Sequence, residues 1–149
     1  GVALRSLAAG KRVVIVQFLK GRESGEVKLL SQLGAKIFRG KAGQKFVFQM
    51  TEQEKAETRK TQEENLLAAL REPADLLILD EACAALKLSM VDEALLKQAV
   101  LEKPENQELI LTGREPADWM EEAADYSTGM HCWRHPYEKG ITAREGVEY

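Results

Sequence analysis

The chain has 149 residues, a size that favours a single domain with a hydrophobic core. Hydrophobic residues make up 44% and charged residues 30% of it, which is typical of a folded globular protein rather than a disordered one. The net charge of -3 argues against a general nucleic-acid or membrane-surface binder, because no basic excess exists to meet phosphates.

The first predicted elements are a helix and a buried strand. Residues 1–9 place apolar side chains at helical spacing. The apolar run over residues 13–16 is rich in β-branched side chains and too short for a buried helix, which predicts a parallel strand covered on both faces. A short helix over residues 26–33 and a second strand over residues 35–38 follow.

A basic, glycine-bearing loop over residues 39–44 leads to an aromatic cluster that contains Phe46 and Phe48. Spacing alone favours a core position for these two rings. Their alternation also allows one ring to face inward and the other to face a ligand.

The second half of the chain continues to alternate helices with strands. Thr51 and Glu54 have the capping-box spacing, which predicts the start of a long helix that continues to Leu70. The later predicted elements are a buried strand over 76–79, a helix over 91–101, a strand over 108–111, a helix over 118–124 and a weaker strand over 125–130. This alternation predicts an α/β fold with a mostly parallel sheet, built as one domain over residues 1–149.

Polar side chains that follow the strands are the candidate functional residues, because ligands of open parallel sheets bind beyond the carboxyl ends of the strands. The residues at these positions are Gln17, Lys20, Arg22, Asp80, Glu81, Thr112 and Arg114. Carboxylates hold magnesium and cationic side chains balance phosphate charge, so the set suits a phosphate ligand with a divalent metal.

The segment LLILDE resembles a Walker B strand, which delivers an acid to a metal or to its water shell. Many buried strands also end in an acid simply where the chain meets water, so this motif leaves both readings open. The segment TGR after the predicted strand over residues 108–111 is equally open, because Arg114 also fits an ordinary surface position.

The remaining aromatic, histidine and cysteine residues favour structural roles. Trp119 and Trp133 are predicted to pack in the core, and His131 and His135 to be ordinary polar residues. The two cysteines, Cys83 and Cys132, form no CxxC pair and no disulfide framework, which predicts a reducing, cytoplasmic location without a Cys/His metal site. No apolar run approaches the roughly 18 to 20 residues of a membrane span, and no signal-peptide pattern is visible.

The order of several short motifs carries a family resemblance. VVIVQFLKG, LLILDE, LILTGR and the ending RHPYEKGITAREGVEY follow one another along the chain. This series is similar to the cob(I)alamin adenosyltransferases of the P-loop class, over nearly the whole chain from Arg12 to Tyr149. The resemblance implies a RecA-like P-loop NTPase architecture.

The resemblance also implies an activity and its partners. In this family the reduced cobalt of a corrinoid attacks the ribose C5′ of ATP, and triphosphate leaves. ATP, Mg²⁺, cobalamin or cobinamide, a second copy of the chain and an electron-donating reductase are therefore the expected cofactors and partners.

Site residues follow from the resemblance position by position. Asp80 and Glu81 match the catalytic, magnesium-side acids. Thr112 and Arg114 match a turn near the nucleotide. Phe46 and Phe48 match aromatic positions that contact the corrin, which reverses the preference for core drawn from spacing.

One family motif, a phosphate-binding loop of the G-x-G-K-G-K-T type, does not occur between Gly1 and Tyr149. We expect this loop and a first strand immediately before Gly1, with residues 1–9 as the helix that the loop opens. The alternatives are another P-loop ATPase or kinase, and a non-catalytic corrinoid- or nucleotide-binding module.

Overall fold

The computed structural model describes residues 1–20, 25–40, 45–144 and 146–147. In these ranges the strands are β1 (Val13–Gln17), β2 (Lys36–Arg39), β3 (Leu76–Asp80) and β4 (Glu108–Leu111). The α-helices of the same ranges are α1 (Val2–Ala8), α2 (Gly25–Gln32), α3 (Glu52–Leu70), α4 (Ala82–Lys87), α5 (Glu93–Leu101) and α6 (Asp118–Ala123). Two short 3-10 helices span Val47–Gln49 and Pro136–Lys139.

The four strands form one sheet in the order β2-β1-β3-β4, and every neighbouring pair is parallel. The predicted α/β class and parallel sheet are therefore confirmed. The chain passes from β1 outward to β2 and then returns to the other side of β1 to form β3, so the strand order reverses between β1 and β3. In open α/β sheets such a reversal opens a crevice at the carboxyl ends of the two strands, where ligands bind.

Both faces of the sheet are covered, as the apolar runs predicted. Side chains of β1 and β3 pack on one face against α3, α4 and α5, in a cluster that includes Val14, Leu66, Leu77 and Leu96. Alternate side chains of the same strands pack on the other face in a second cluster, which includes Ala3, Val13 and Leu76. Full burial of a large aliphatic side chain contributes about 1.5–3 kcal/mol, so the two clusters hold the central strands rigidly.

The capping box predicted for α3 is confirmed. The Glu54 backbone N–H donates to Thr51 Oγ1 at 3.1 Å, and the Thr51 backbone N–H donates to Glu54 Oε2 at 2.8 Å. α5 begins at Glu93, two residues later than predicted, because Asp92 caps it by accepting the Leu95 backbone N–H at 2.9 Å. α4 was not predicted from the sequence.

Two expectations for the C-terminal part are wrong. Residues 125–130 form no strand, and Tyr126 and Met130 are 94% and 97% exposed. Trp133 is 86% exposed instead of packed in the core, whereas Trp119 packs against the core as predicted. A strand needs a hydrogen-bonded partner, and this segment pairs with none of the described strands.

No helix in the described part of the chain combines the length and the hydropathy that a membrane span requires.

An ion pair joins the amino ends of the two central strands. Asp75 Oδ2 accepts from the Arg12 backbone N–H at 2.8 Å and from Nε at 3.0 Å, and Oδ1 accepts from Nη2 at 2.8 Å. These hydrogen bonds from the Arg12 side chain and backbone hold the pKa of Asp75 well below its usual range.

We expect Asp75→Asn to lower the thermal unfolding midpoint by a few degrees at pH 7. A carboxyl with a depressed folded-state pKa contributes stability above its unfolded pKa, about 3.9, and this contribution is lost as the pH falls through the folded pKa. Thermal unfolding of the native and variant proteins is measured from pH 7 to pH 2. The difference between their unfolding midpoints should be constant above about pH 5 and should become smaller below about pH 4. A difference that stays constant down to pH 2 would contradict this account.

Candidate functional site

Asp80 lies at the crevice between β1 and β3 and is the centre of a hydrogen-bonded cluster. Its Oδ2 accepts from Lys20 Nζ at 2.6 Å and from Gln17 Nε2 at 3.3 Å. Its Oδ1 accepts from Thr112 Oγ1 at 2.7 Å. The carboxyl ends of β1, β3 and β4 therefore converge on one carboxylate, as the strand-end argument predicted.

The carboxyl group of Asp80 is held in its ionised form. Burial acts to raise its pKa, but hydrogen bonds from Lys20 and Thr112 outweigh burial and hold the pKa below its usual range. Asp80 is thus a permanent negative charge at neutral pH, and Lys20 balances that charge only in part because the lysine remains half exposed.

Glu81 follows directly and turns the chain from β3 into α4. Its backbone is in the left-handed region, with φ of 62°, a conformation that costs a non-glycine residue about 1–3 kcal/mol. Its backbone N–H donates to Thr112 Oγ1 at 3.0 Å, so one threonine hydroxyl bonds both acidic residues. The structure therefore brings together three of the predicted site residues, Asp80, Glu81 and Thr112.

Gly113 allows β4 to end close to the start of α4. A Cβ at this position would lie 2.8 Å from the Cβ of Cys83, and the φ of 139° is one that side chains other than glycine rarely adopt. Burial raises the pKa of the Cys83 thiol, so this cysteine stays protonated and fills space beside the site.

One of the predicted cationic residues, Arg114, is not part of the Asp80 cluster. Arg114 lies at the same end of the sheet, but it is exposed and forms no ion pair with any residue that the structure describes. Arg22 lies outside the described residues. Among the residues that the structure describes, the cation that forms an ion pair with Asp80 is Lys20.

Phe46 precedes the first 3-10 helix, Phe48 lies within it, and the two residues form an exposed aromatic pair. They are 58% and 82% exposed, and their rings stack at a centroid distance of 5.5 Å with an angle of 12° between planes. The core position favoured by spacing alone is wrong, and so is the alternative with one ring facing inward. Exposed aromatic surface of this kind is suited to contact with a large apolar ligand.

The aromatic pair is fastened to the start of α3. Lys45 Nζ donates to Glu54 Oε1 at 2.6 Å, and the same glutamate closes the capping box with Thr51. One side chain thus fixes both ends of the segment that carries the two rings.

Two glutamines near the site are buried, and only Gln17 was among the candidate residues that the sequence singled out. Gln62 is 2% exposed and joins two loops at the carboxyl end of the sheet. Gln17, noted only for its place after a strand, is 6% exposed, and its Oε1 atom is buried without a hydrogen-bond partner among the described residues. An orphaned buried oxygen beside Asp80 indicates a position where a bound ligand or its water shell donates a hydrogen bond.

The donor set fits a magnesium ion. Asp80 and Glu81 are consecutive acidic residues, and no group of three His, Cys, Asp or Glu side chains in the described ranges has the arrangement of a protein-only metal site. Mg²⁺ is usually held by one or two carboxylates together with substrate phosphates and water. This chemistry matches a metal that arrives with a nucleotide.

A separate open cavity of about 330 Å³ lies at the opposite end of the sheet and is lined by Arg12, Lys36 and Pro73 among others. Arg12 is paired with Asp75 and Lys36 with Glu72. These two cationic side chains of the cavity are therefore already engaged in ion pairs. The cavity also lies far from the candidate residues that follow the carboxyl ends of the strands.

Comparison with known proteins gives a consistent result. A family model described as ATP:corrinoid adenosyltransferase BtuR/CobO/CobP matches residues 1–149. A corrinoid adenosyltransferase of Pseudomonas aeruginosa is 29% identical over 152 residues, which cover 100% of this chain and 75% of that protein. Corrinoid adenosyltransferases of Sinorhizobium sp and Escherichia coli K12 are 29% and 28% identical, and the matches cover all of this chain and 72% and 76% of those proteins.

Proposed function

The chain belongs to the ATP:corrinoid adenosyltransferase family BtuR/CobO/CobP, and we propose that the crevice between β1 and β3 is its nucleotide site. The protein transfers the 5′-deoxyadenosyl group of ATP to the cobalt of a corrinoid. The observation that carries the placement is the convergence of Lys20, Thr112 and Gln17 on the ionised carboxylate of Asp80 at the topological switch of the sheet.

The reaction is a displacement at carbon. The electron pair of Co(I) forms a bond to C5′ of the ribose, and the bond between C5′ and the phosphate oxygen breaks. The oxygen keeps the bonding electrons, so triphosphate leaves with added negative charge and the cobalt becomes Co(III). The enzyme accelerates this step by stabilising charge on the leaving triphosphate and by aligning the two large substrates.

The residues of the crevice suit the leaving-group side of the reaction. We assign Asp80 and Glu81 to hold Mg²⁺, which would neutralise charge on the triphosphate. Lys20, held by Asp80 at the same edge, adds a fixed positive charge, and Thr112 orients both acidic residues. Arg114 is exposed beyond the end of β4, and we propose that it binds a phosphate oxygen.

Phe46 and Phe48 suit the corrinoid side. Two parallel exposed rings offer an apolar surface, and we propose that it packs against the corrin. Apolar packing in place of a lower oxygen or nitrogen ligand makes the cobalt easier to reduce to Co(I). The electron itself comes from outside the chain, and we propose a reductase as its donor.

We propose that the enzyme acts as a homodimer in the cytoplasm. Both Cys83 and Cys132 are free thiols, as expected in a reducing compartment. The described segment over residues 124–144 exposes five large apolar side chains, namely Tyr126, Met130, Trp133, Tyr137 and Ile141. Exposed apolar surface of this extent is typical of a protein–protein contact.

Replacing Trp133 by serine is expected to weaken the dimer. An aromatic side chain that is buried only on association contributes about 1.5–3 kcal/mol, so the dissociation constant should rise about tenfold or more. Sedimentation equilibrium of the native and variant proteins measures this directly. Leu101→Ser is the control, because Leu101 is also exposed and lies outside this segment. A native protein that sediments as a monomer would contradict the proposal.

Spectroscopy tests the activity itself. The natural full-length protein is mixed anaerobically with chemically reduced Co(I) cobalamin, ATP and magnesium, and the visible spectrum is followed. ATP-dependent formation of a light-sensitive alkylcobalamin is the expected result. A folded protein that binds ATP but forms no such product would overturn the proposal, and hydrolysis of ATP without corrinoid would instead indicate an ATPase.

A further inference from the structure

Gln62 is a buried amide in the middle of α3, and both ends of its side chain are bonded to loops at the carboxyl end of the sheet. The residue is 2% exposed. Its Oε1 accepts the backbone N–H of Leu19 at 2.8 Å, and its Nε2 donates to the backbone carbonyl of Met90 at 3.1 Å.

The Leu19 contact fixes the point at which the chain leaves β1. Leu19 has a φ of 57°, in the left-handed region where a leucine is unfavourable unless its surroundings hold it. Its neighbour Phe18 donates its backbone N–H to the carbonyl of Asp80 at 2.9 Å. The turn is thus held by β3 on one side and by Gln62 on the other.

Lys20 is the next residue after this turn, and the position of Lys20 depends on the conformation of the turn. Its Nζ lies 2.6 Å from Asp80 Oδ2. A change in the backbone of Leu19 would redirect the lysine side chain away from that carboxylate.

We propose that Gln62 is a positioning residue of the nucleotide site, which acts by holding Leu19 so that Lys20 meets Asp80. This inference rests on the proposed function, because it takes Lys20 and Asp80 as parts of that site.

Core packing alone does not explain a glutamine here. Leu66, one turn further along the same helix, is fully buried and apolar. An apolar side chain at position 62 would also fill the space, but it would leave the Leu19 N–H and the Met90 carbonyl buried without partners. Both hydrogen-bonding groups of the amide are used, and both partners are backbone groups of loops beside the site.

The first test is amide hydrogen exchange in the native protein, which needs no activity. The Leu19 N–H should exchange slowly, as expected for an amide bonded to a buried acceptor. Exchange at the rate of an exposed amide would overturn the proposal, because the hydrogen bond would then be absent.

The second test is binding of MgATP to four full-length proteins: native, Gln62→Met, Lys20→Met and the double variant. Methionine keeps the size of glutamine and removes both hydrogen bonds. Gln62→Met should weaken MgATP binding about tenfold in the native background, in the range known for residues that support a site residue. In the Lys20→Met background, Gln62→Met should lower the affinity for MgATP less than about twofold, because the lysine through which Gln62 acts is absent.

Leu66→Val is the matched control, since it perturbs the same helix without removing either hydrogen bond of Gln62. It should lower stability but change MgATP affinity less than about twofold. Equal losses from Gln62→Met in both backgrounds would show a purely structural role and overturn the proposal. A native protein that binds MgATP with this pattern but transfers no adenosyl group would instead contradict the proposed function alone.

Discussion

Replacing Asp80 by asparagine is expected to lower kcat/KM for MgATP about 100- to 1000-fold while leaving the fold intact. The amide keeps the shape of the carboxylate and removes its charge, which both Lys20 and a magnesium ion require. Thr112 can still donate to the amide oxygen, and Gln17 can turn its own amide so that its Oε1 accepts from the new NH2 group, so the strand ends should stay in place. Steady-state rates over a range of magnesium concentrations measure the effect, and a higher magnesium requirement is expected in the variant.

Asp75→Asn provides the matched control for this variant. It makes the same chemical change at the opposite end of β3, where Asp75 is bonded to Arg12. Asp75→Asn should lower thermal stability at pH 7 and leave kcat/KM within about twofold, whereas only Asp80→Asn should lower kcat/KM by the large factor given above. If Asp80→Asn kept the native rate, the crevice between β1 and β3 would not be the nucleotide site.

The pKa of Asp80 adds a pH prediction to the same experiment. Because its folded-state pKa is depressed, Asp80 stays ionised throughout the range from pH 8 to pH 5. Activity lost between pH 8 and pH 5 should therefore come from other groups, and Asp80→Asn should leave the shape of that part of the profile unchanged.

The fold was predicted largely from the buried strands. Both central strands are apolar up to their last residue, and the strand predicted over residues 108–111 has the bounds that the structure gives β4. Parallel strands place their carboxyl ends at one edge, so the meeting of Lys20, Asp80 and Thr112 followed from topology and needed no knowledge of their contacts.

Other features had no local signal in the sequence. α4 is a six-residue, largely buried helix that begins after a left-handed glutamate, and such turns are usually marked by glycine or asparagine. Gln62 lies in a helix rich in Glu, Gln and Lys, where a glutamine is normally a surface residue. Its two hydrogen-bonding partners are 43 and 28 residues away in the sequence, so its burial is visible only in the folded structure.

α3 connects the two proposed substrate sites. Its first turn holds the aromatic segment through Glu54, and Gln62 holds the turn before Lys20. Eight residues separate these positions, which corresponds to about 12 Å along a helix at 1.5 Å per residue. One rigid helix therefore bonds to segments of both the corrinoid surface and the nucleotide crevice, and this suits a reaction that depends on aligning two large substrates.

The second large effect is expected at the aromatic pair. Phe48→Ala should lower kcat/KM for the corrinoid about 10- to 100-fold, because it removes most of the exposed ring surface and the stacked partner of Phe46. KM for ATP and the unfolding midpoint should hardly change, since an exposed side chain that faces solvent contributes little to stability.

Steady-state kinetics with each substrate varied in turn, together with thermal unfolding, separate this role from a structural one. Leu101→Ala is the control, because it truncates another exposed apolar side chain at the end of α5. It should alter neither substrate's kinetics. Phe48→Trp should retain corrinoid use, since an indole also offers an aromatic face. If Phe48→Ala impaired ATP and corrinoid equally and lowered stability, the ring would be part of the fold, and the corrinoid surface would have to be sought elsewhere.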